Sequence, residues 1–136
     1  MKQLFTLIIV LLSVTTLYAE GPSTVYCTIS GSHLASQPNG YIGQVDVNFG
    51  QKRSAKDYLV DNNGKRINFE TMIGALNYMA KAGWHLESTY TQFEPSLIES
   101  SGLDECIIVM ILSKKITSEE QIAEGITTRK MYEGYN

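Results

Sequence analysis

Three stretches of this chain, 24–30, 42–49 and 84–91, alternate apolar and polar side chains. A period of two is the mark of a half-buried strand, so this pattern commits much of the chain to a sheet with one covered face. In the first stretch Val25, Cys27 and Ile29 share one face, and Tyr26, Thr28 and Ser30 the other. In the second, Val45, Val47 and Phe49 point inward, Gln44, Asp46 and Asn48 outward, and Gly50 ends the strand. In the third, Trp84, Leu86, Ser88 and Tyr90 fall on one face, with His85, Glu87, Thr89 and Thr91 on the other. Ile107–Leu112 is apolar without interruption, the pattern of a central strand covered on both faces.

Helical spacing occurs at Met72, Ile73, Leu76, Met79 and Ala80. Thr71 (or Asn68) suits the N-cap, Lys81 the last turn and Gly83 the C′ position. Asp61-Asn62-Asn63-Gly64-Lys65 reads as a tight turn between Tyr58–Val60 and Arg66–Asn68. Ser118 and Gln121 have the spacing of a capping box, predicting a second helix through Ile122, Ala123 and Ile126, then a frayed tail from Met131. The order of elements predicts an α+β fold. It would be a two-layer sandwich: a mainly antiparallel sheet of four to five strands with one or two helices on one face.

The first nineteen residues are set apart from this pattern. Lys2 gives a positive start, Leu4–Leu17 carries no charge, and Ala19 offers a small residue at a cleavage point. These are the parts of a secretory signal peptide. The apolar run falls short of the roughly 20 residues that cross a bilayer. The expectation is a secreted or periplasmic protein with no stable membrane span after cleavage. Residues 20–136 would then form a single α+β domain, with a core at about 24–115 and a C-terminal helix and tail at 116–136.

Without Lys2 the chain has ten basic and fourteen acidic side chains. No run of Lys and Arg exceeds a pair. Phosphate neutralisation needs a basic face, so nucleic acid is excluded as an expected partner.

Cys27 and Cys106 are the two cysteines. Two readings stand side by side. In an oxidising compartment they would join, closing a loop of about 80 residues worth about 4 kcal/mol in the chain-entropy model. Alternatively, each is a buried thiol in an apolar strand.

Ala75 to Trp84 resembles part of a small bacterial domain family of unknown function, in which a helix closes on Gly-Trp and runs into an amphipathic strand. The secreted Gram-negative branch is the nearer likeness. Its other motifs match Tyr26-Cys27, the Val45–Gln51 strand, the Asp61–Lys65 turn and the Ile107–Lys115 strand. The resemblance spans about residues 25–115. It implies an α+β fold and secretion, and carries no activity, cofactor or catalytic residue. The 93–105 connection is longer than the family pattern, and the chain after Lys115 is an addition to it.

Candidate chemistry is sparse. His33 and His85 are the two histidines, and zinc wants three or four ligands close together. His85 and Glu87 on one strand, with Asp46 on another, would form a cation site only if those strands were neighbours. The plainer reading is a solvated sheet face. Neither a Gly-x-Ser-x-Gly elbow nor a P-loop is present. Acid pairs such as Glu94 and Glu99 read as surface carboxylates. Trp84, Met72 and Met79 read as core, and Tyr41, Tyr90, Tyr132 and Tyr135 as partner contacts. The expected function is therefore an exported, non-enzymatic binding module, without cofactor, whose partner is a protein and whose first contact surface is the 93–105 connection. A structural or envelope-accessory subunit is the second reading. A metal-dependent hydrolase on the His85/Glu87 face is the third.

Overall fold

The computed structural model describes residues 21–34, 42–50, 56–94 and 105–134. The segment read as a signal peptide lies outside them, as does most of the 93–105 connection. No helix among the described residues is long and apolar enough to cross a membrane.

The fold is the expected α+β arrangement. Five strands form one antiparallel sheet: β1 (Ser23–Leu34), β2 (Ile42–Asn48), β3 (Asp57–Tyr58), β4 (His85–Glu94) and β5 (Glu105–Ile116). Their order across the sheet is β3-β2-β1-β5-β4. The central pair is the longest, with β1 bonded to β5 from Ser23↔Ile116 to Leu34↔Glu105.

Helix α1 (Met72–Lys81) covers one face of the sheet. Thr71 is its N-cap, accepting from the Gly74 amide at 3.1 Å. Its far end is a Schellman closure: Gly83 N donates to Ala80 O at 3.0 Å and Trp84 N to Met79 O at 3.2 Å. Gly83 adopts φ 87°, a conformation a side chain would strain. That tight ending turns the chain so that Trp84 drops into the core, fully buried, with its ring 5.7 Å from that of Phe49. Met72, Ala75 and Met79 are the buried helix residues, whereas Ile73 and Ala80, expected among them, are exposed. Beneath the helix lie Cys27, Ile29, Val45, Val47, Met110 and Leu112, the inward residues of β1, β2 and β5.

Three expectations need correction. The alternation of β4 breaks at a bulge: Leu86 pairs with Leu112 and Ser88 with Ile111, leaving Glu87 as the extra residue. A bulge adds one residue and so exchanges the faces beyond it. Leu86, Thr89, Thr91 and Phe93 therefore share the helix side, while Ser88, Tyr90 and Gln92 share the open side with His85.

The second correction is at the C-terminus. The helix expected from Ser118 is a 3-10 turn, Glu119–Ile122, and Ser118 makes no capping bond. Gln121 instead turns back to accept from the Thr117 amide at 2.7 Å. The expected frayed tail is ordered through residue 134. Val60 N donates to Thr127 O at 2.9 Å, and a short helix, α2 (Arg129–Glu133), follows. Buried Asp57 accepts from the Lys130 amide at 3.2 Å, tying α2 to β3.

The third concerns the cysteines. Cys27 lies opposite Leu112 and Cys106 opposite His33. Six residues of strand, about 20 Å, separate those positions. A disulfide needs Cα atoms within about 7 Å, so of the two readings the geometry rules out the bridge, and both thiols are free.

Candidate functional site

The face of the sheet away from α1 is open, and its residues come from the polar half of each alternating strand. One cross-strand row runs Asp46–Ser30–Val109–Tyr90, through β2, β1, β5 and β4. Ser30 is small and Val109 is buried, so the middle of the row is low while its two ends rise. The result is a groove of about 440 Å³ across the sheet. Tyr90 and Gln92 form one wall, Gln44, Asp46 and Lys56 the other, and Thr28, Ser30 and Ile107 contribute to the floor.

The β2 wall is held by a chain of polar contacts. Arg66 donates to Gln44 Oε1 at 2.8 Å, and Gln44 Nε2 donates to Asp46 Oδ1 at 2.5 Å. Lys56 reaches the other Asp46 oxygen at 4.0 Å. The Arg66 guanidinium lies over the Tyr58 ring, 3.7 Å from its centre. Each contact is modest in energy, but together they fix the Asp46 carboxylate and the Gln44 amide at the groove rim.

His85 and Glu87 lie on the same open face, at the other end of β4. They border a second hollow with Tyr26, Ser113 and Lys115. The Ser113 hydroxyl donates to Glu87 Oε1. Asp46 does not join them. Strands β2 and β4 are three strand spacings apart, about 14 Å, and the His85 row lies about 13 Å further along β5. The condition for a cation site is thus not met: His85 and Glu87 stay together while Asp46 lies apart, and no group of three metal-ligating side chains gathers among the described residues. His33 sits on β1 opposite Cys106.

Of the tyrosines read as contact residues, Tyr90 stands on the groove wall. Tyr132 is half-exposed beside Gly64. Tyr41 and Tyr135 lie outside the described residues. Burial pushes the Cys27 thiol up to about 12, so it is no nucleophile.

Sequence reasoning missed the Gln44–Arg66 link. Nothing in the spacing of residues 44 and 66 announces it, because it depends on how the Asn-Gly turn folds back beside β2. No protein-family model, curated protein or solved structure matches the chain.

Proposed function

We propose that this protein is an exported, non-enzymatic binding module, and that the groove on its open sheet face holds a protein partner. The observation that carries this reading is the row Asp46–Ser30–Val109–Tyr90. Two polar, partly ordered walls about 14 Å apart leave room for an extended peptide between them. The walls offer a carboxylate, two amides, an ammonium and a phenol, and the floor offers hydroxyls. Such a set recognises backbone and side-chain polar groups, and the opposite face is already occupied with packing. The N-terminal apolar segment supports delivery outside the cytoplasm.

The test is capture by the immobilised protein from envelope and secreted fractions, compared with Ser30→Arg. A long side chain at Ser30 fills the groove floor without touching the core. Capture should fall at least tenfold while the melting temperature stays within a few degrees. A partner held equally well by Ser30→Arg would show that the groove is not the binding surface.

A further inference from the structure

The two edges of the sheet are treated differently. Edge strand β3 has two residues, and the chain beyond it is met by the C-terminal segment through Leu59↔Thr128. Strand β4 has ten residues, and among the described residues nothing pairs with its outer side. Edges of this length are usually defended by lysine, proline, inward charge or a bulge, and the one bulge of β4 lies at Glu87, before residue 88. Residues 88–93, Ser-Thr-Tyr-Thr-Gln-Phe, carry none of these. Three large apolar side chains stand exposed along the strand: Leu86 at 46%, Tyr90 at 43% and Phe93 at 72%.

We propose that this edge pairs with β4 of a second copy of the chain, antiparallel and centred on Tyr90. The sequence is complementary to itself about that point. A two-fold axis perpendicular to the sheet sets Tyr90 against Tyr90, Thr89 against Thr91 and Ser88 against Gln92. Each pair shares a face, as a continuous sheet requires. The bulge at Glu87 brings Leu86 into the slot next to Ser88. Leu86 then falls across from Phe93 of the second copy, both on the helix side, so each exposed apolar residue of β4 meets another. No like charges oppose one another between residues 88 and 92, which matters for a chain of net negative charge. The paired sheets would have ten strands. The two grooves would lie side by side with the Tyr90 pair as their common wall.

The inference stands apart from the identity of any groove partner. Light scattering and sedimentation equilibrium of the purified protein should show a dimer. Thr91→Lys points away from the groove and puts a charge into the seam. It should give a monomer, more than tenfold weaker in association, with its melting temperature within a few degrees of the parent. In a Cys106→Ser background, Tyr90→Cys should form a cross-linked dimer under mild oxidation and Ser88→Cys should not, because only residue 90 opposes itself. A monomer at every concentration would overturn the proposal and leave the edge to a strand from another protein. A dimer that survives Thr91→Lys, or cross-links better through Ser88→Cys, would also overturn it. Partner capture by monomeric Thr91→Lys would show the groove working even where pairing fails.

Discussion

Lys114 donates from Nζ to the backbone carbonyl of Gln121 at 2.6 Å. The same ammonium reaches Glu124 O at 3.3 Å and lies 5.9 Å from the centre of the Trp84 ring. A Lys-Lys pair after an apolar run suggests the solvent end of a strand, but β5 continues to Ile116 and Lys114 is buried. Its work is to satisfy carbonyls at the end of the 3-10 turn and hold that turn against the seam between α1 and β5. Lys114→Met keeps the length and removes the donor. The variant should lose about 1–3 kcal/mol in denaturant unfolding. The amides of Ala123, Glu124 and Ile126 should lose hydrogen-exchange protection first. Unchanged protection there would mean that the lysine does not hold the turn.

Trp84 is fully buried, and its indole N–H has no acceptor among the described residues. Its value is therefore bulk and ring contact rather than a polar bond. Trp84→Ala should cost about 3–5 kcal/mol. Trp84→Phe keeps a ring facing Phe49 and gives up no hydrogen bond, so it should cost clearly less. As the one tryptophan, Trp84 also reports on folding: its emission should be blue-shifted in the native state and move red on unfolding. Equal losses in the two variants would place the energy in the indole nitrogen after all.

The elements that were legible in the sequence are those whose signals are local. Alternation at Val25–Ser30 and Val45–Phe49 gave their faces correctly, and Thr71 with Gly83 marked both ends of α1. What was not legible depends on contacts distant in sequence. The bulge at Glu87 exchanges the faces of Thr89 and Tyr90, and no composition rule announces it. The tail is ordered because Asp57, Val60 and Gly64 receive it, 73 residues away in the case of Asp57 and Lys130. Whether Asp46 could meet His85 is likewise not a local question: strand order puts two strands between them. Groove residues were individually visible as polar outward positions, but the groove itself arises from the low middle of one cross-strand row.

Cys27 titrates at about 12 in the folded protein because burial disfavours its thiolate. In the unfolded chain it ionises near pH 9.0. Between those values the folded state holds a proton that the unfolded state releases. Stability from this group is thus complete below about pH 9 and is lost as pH rises towards 12. Unfolding free energy should fall across that window, and Cys27→Ala should flatten the fall. Alkylation at pH 8 should modify half-buried Cys106 in the native protein and reach Cys27 only on unfolding. Equal labelling of both would place Cys27 outside the core.

Gly64 and Tyr132 close the structure at the turn after β3. Gly64 has φ 74°, and a Cβ added there would lie 2.7 Å from Tyr132 Cζ, well inside contact distance. Gly64→Ala therefore carries two costs. One is backbone strain of about 1 kcal/mol, which is independent of the ring. The other is displacement of Tyr132, and with it the docking of α2 on the turn. A double-mutant cycle with Tyr132→Ala separates them. With the ring removed, Gly64→Ala should cost only the backbone strain. With the ring present it should cost about 1 kcal/mol more, a coupling in the range found for residues in contact. If the two substitutions add to within about 0.5 kcal/mol, the ring does not rest on Gly64, and the ordered C-terminus must be held by Asp57 and Thr127 alone.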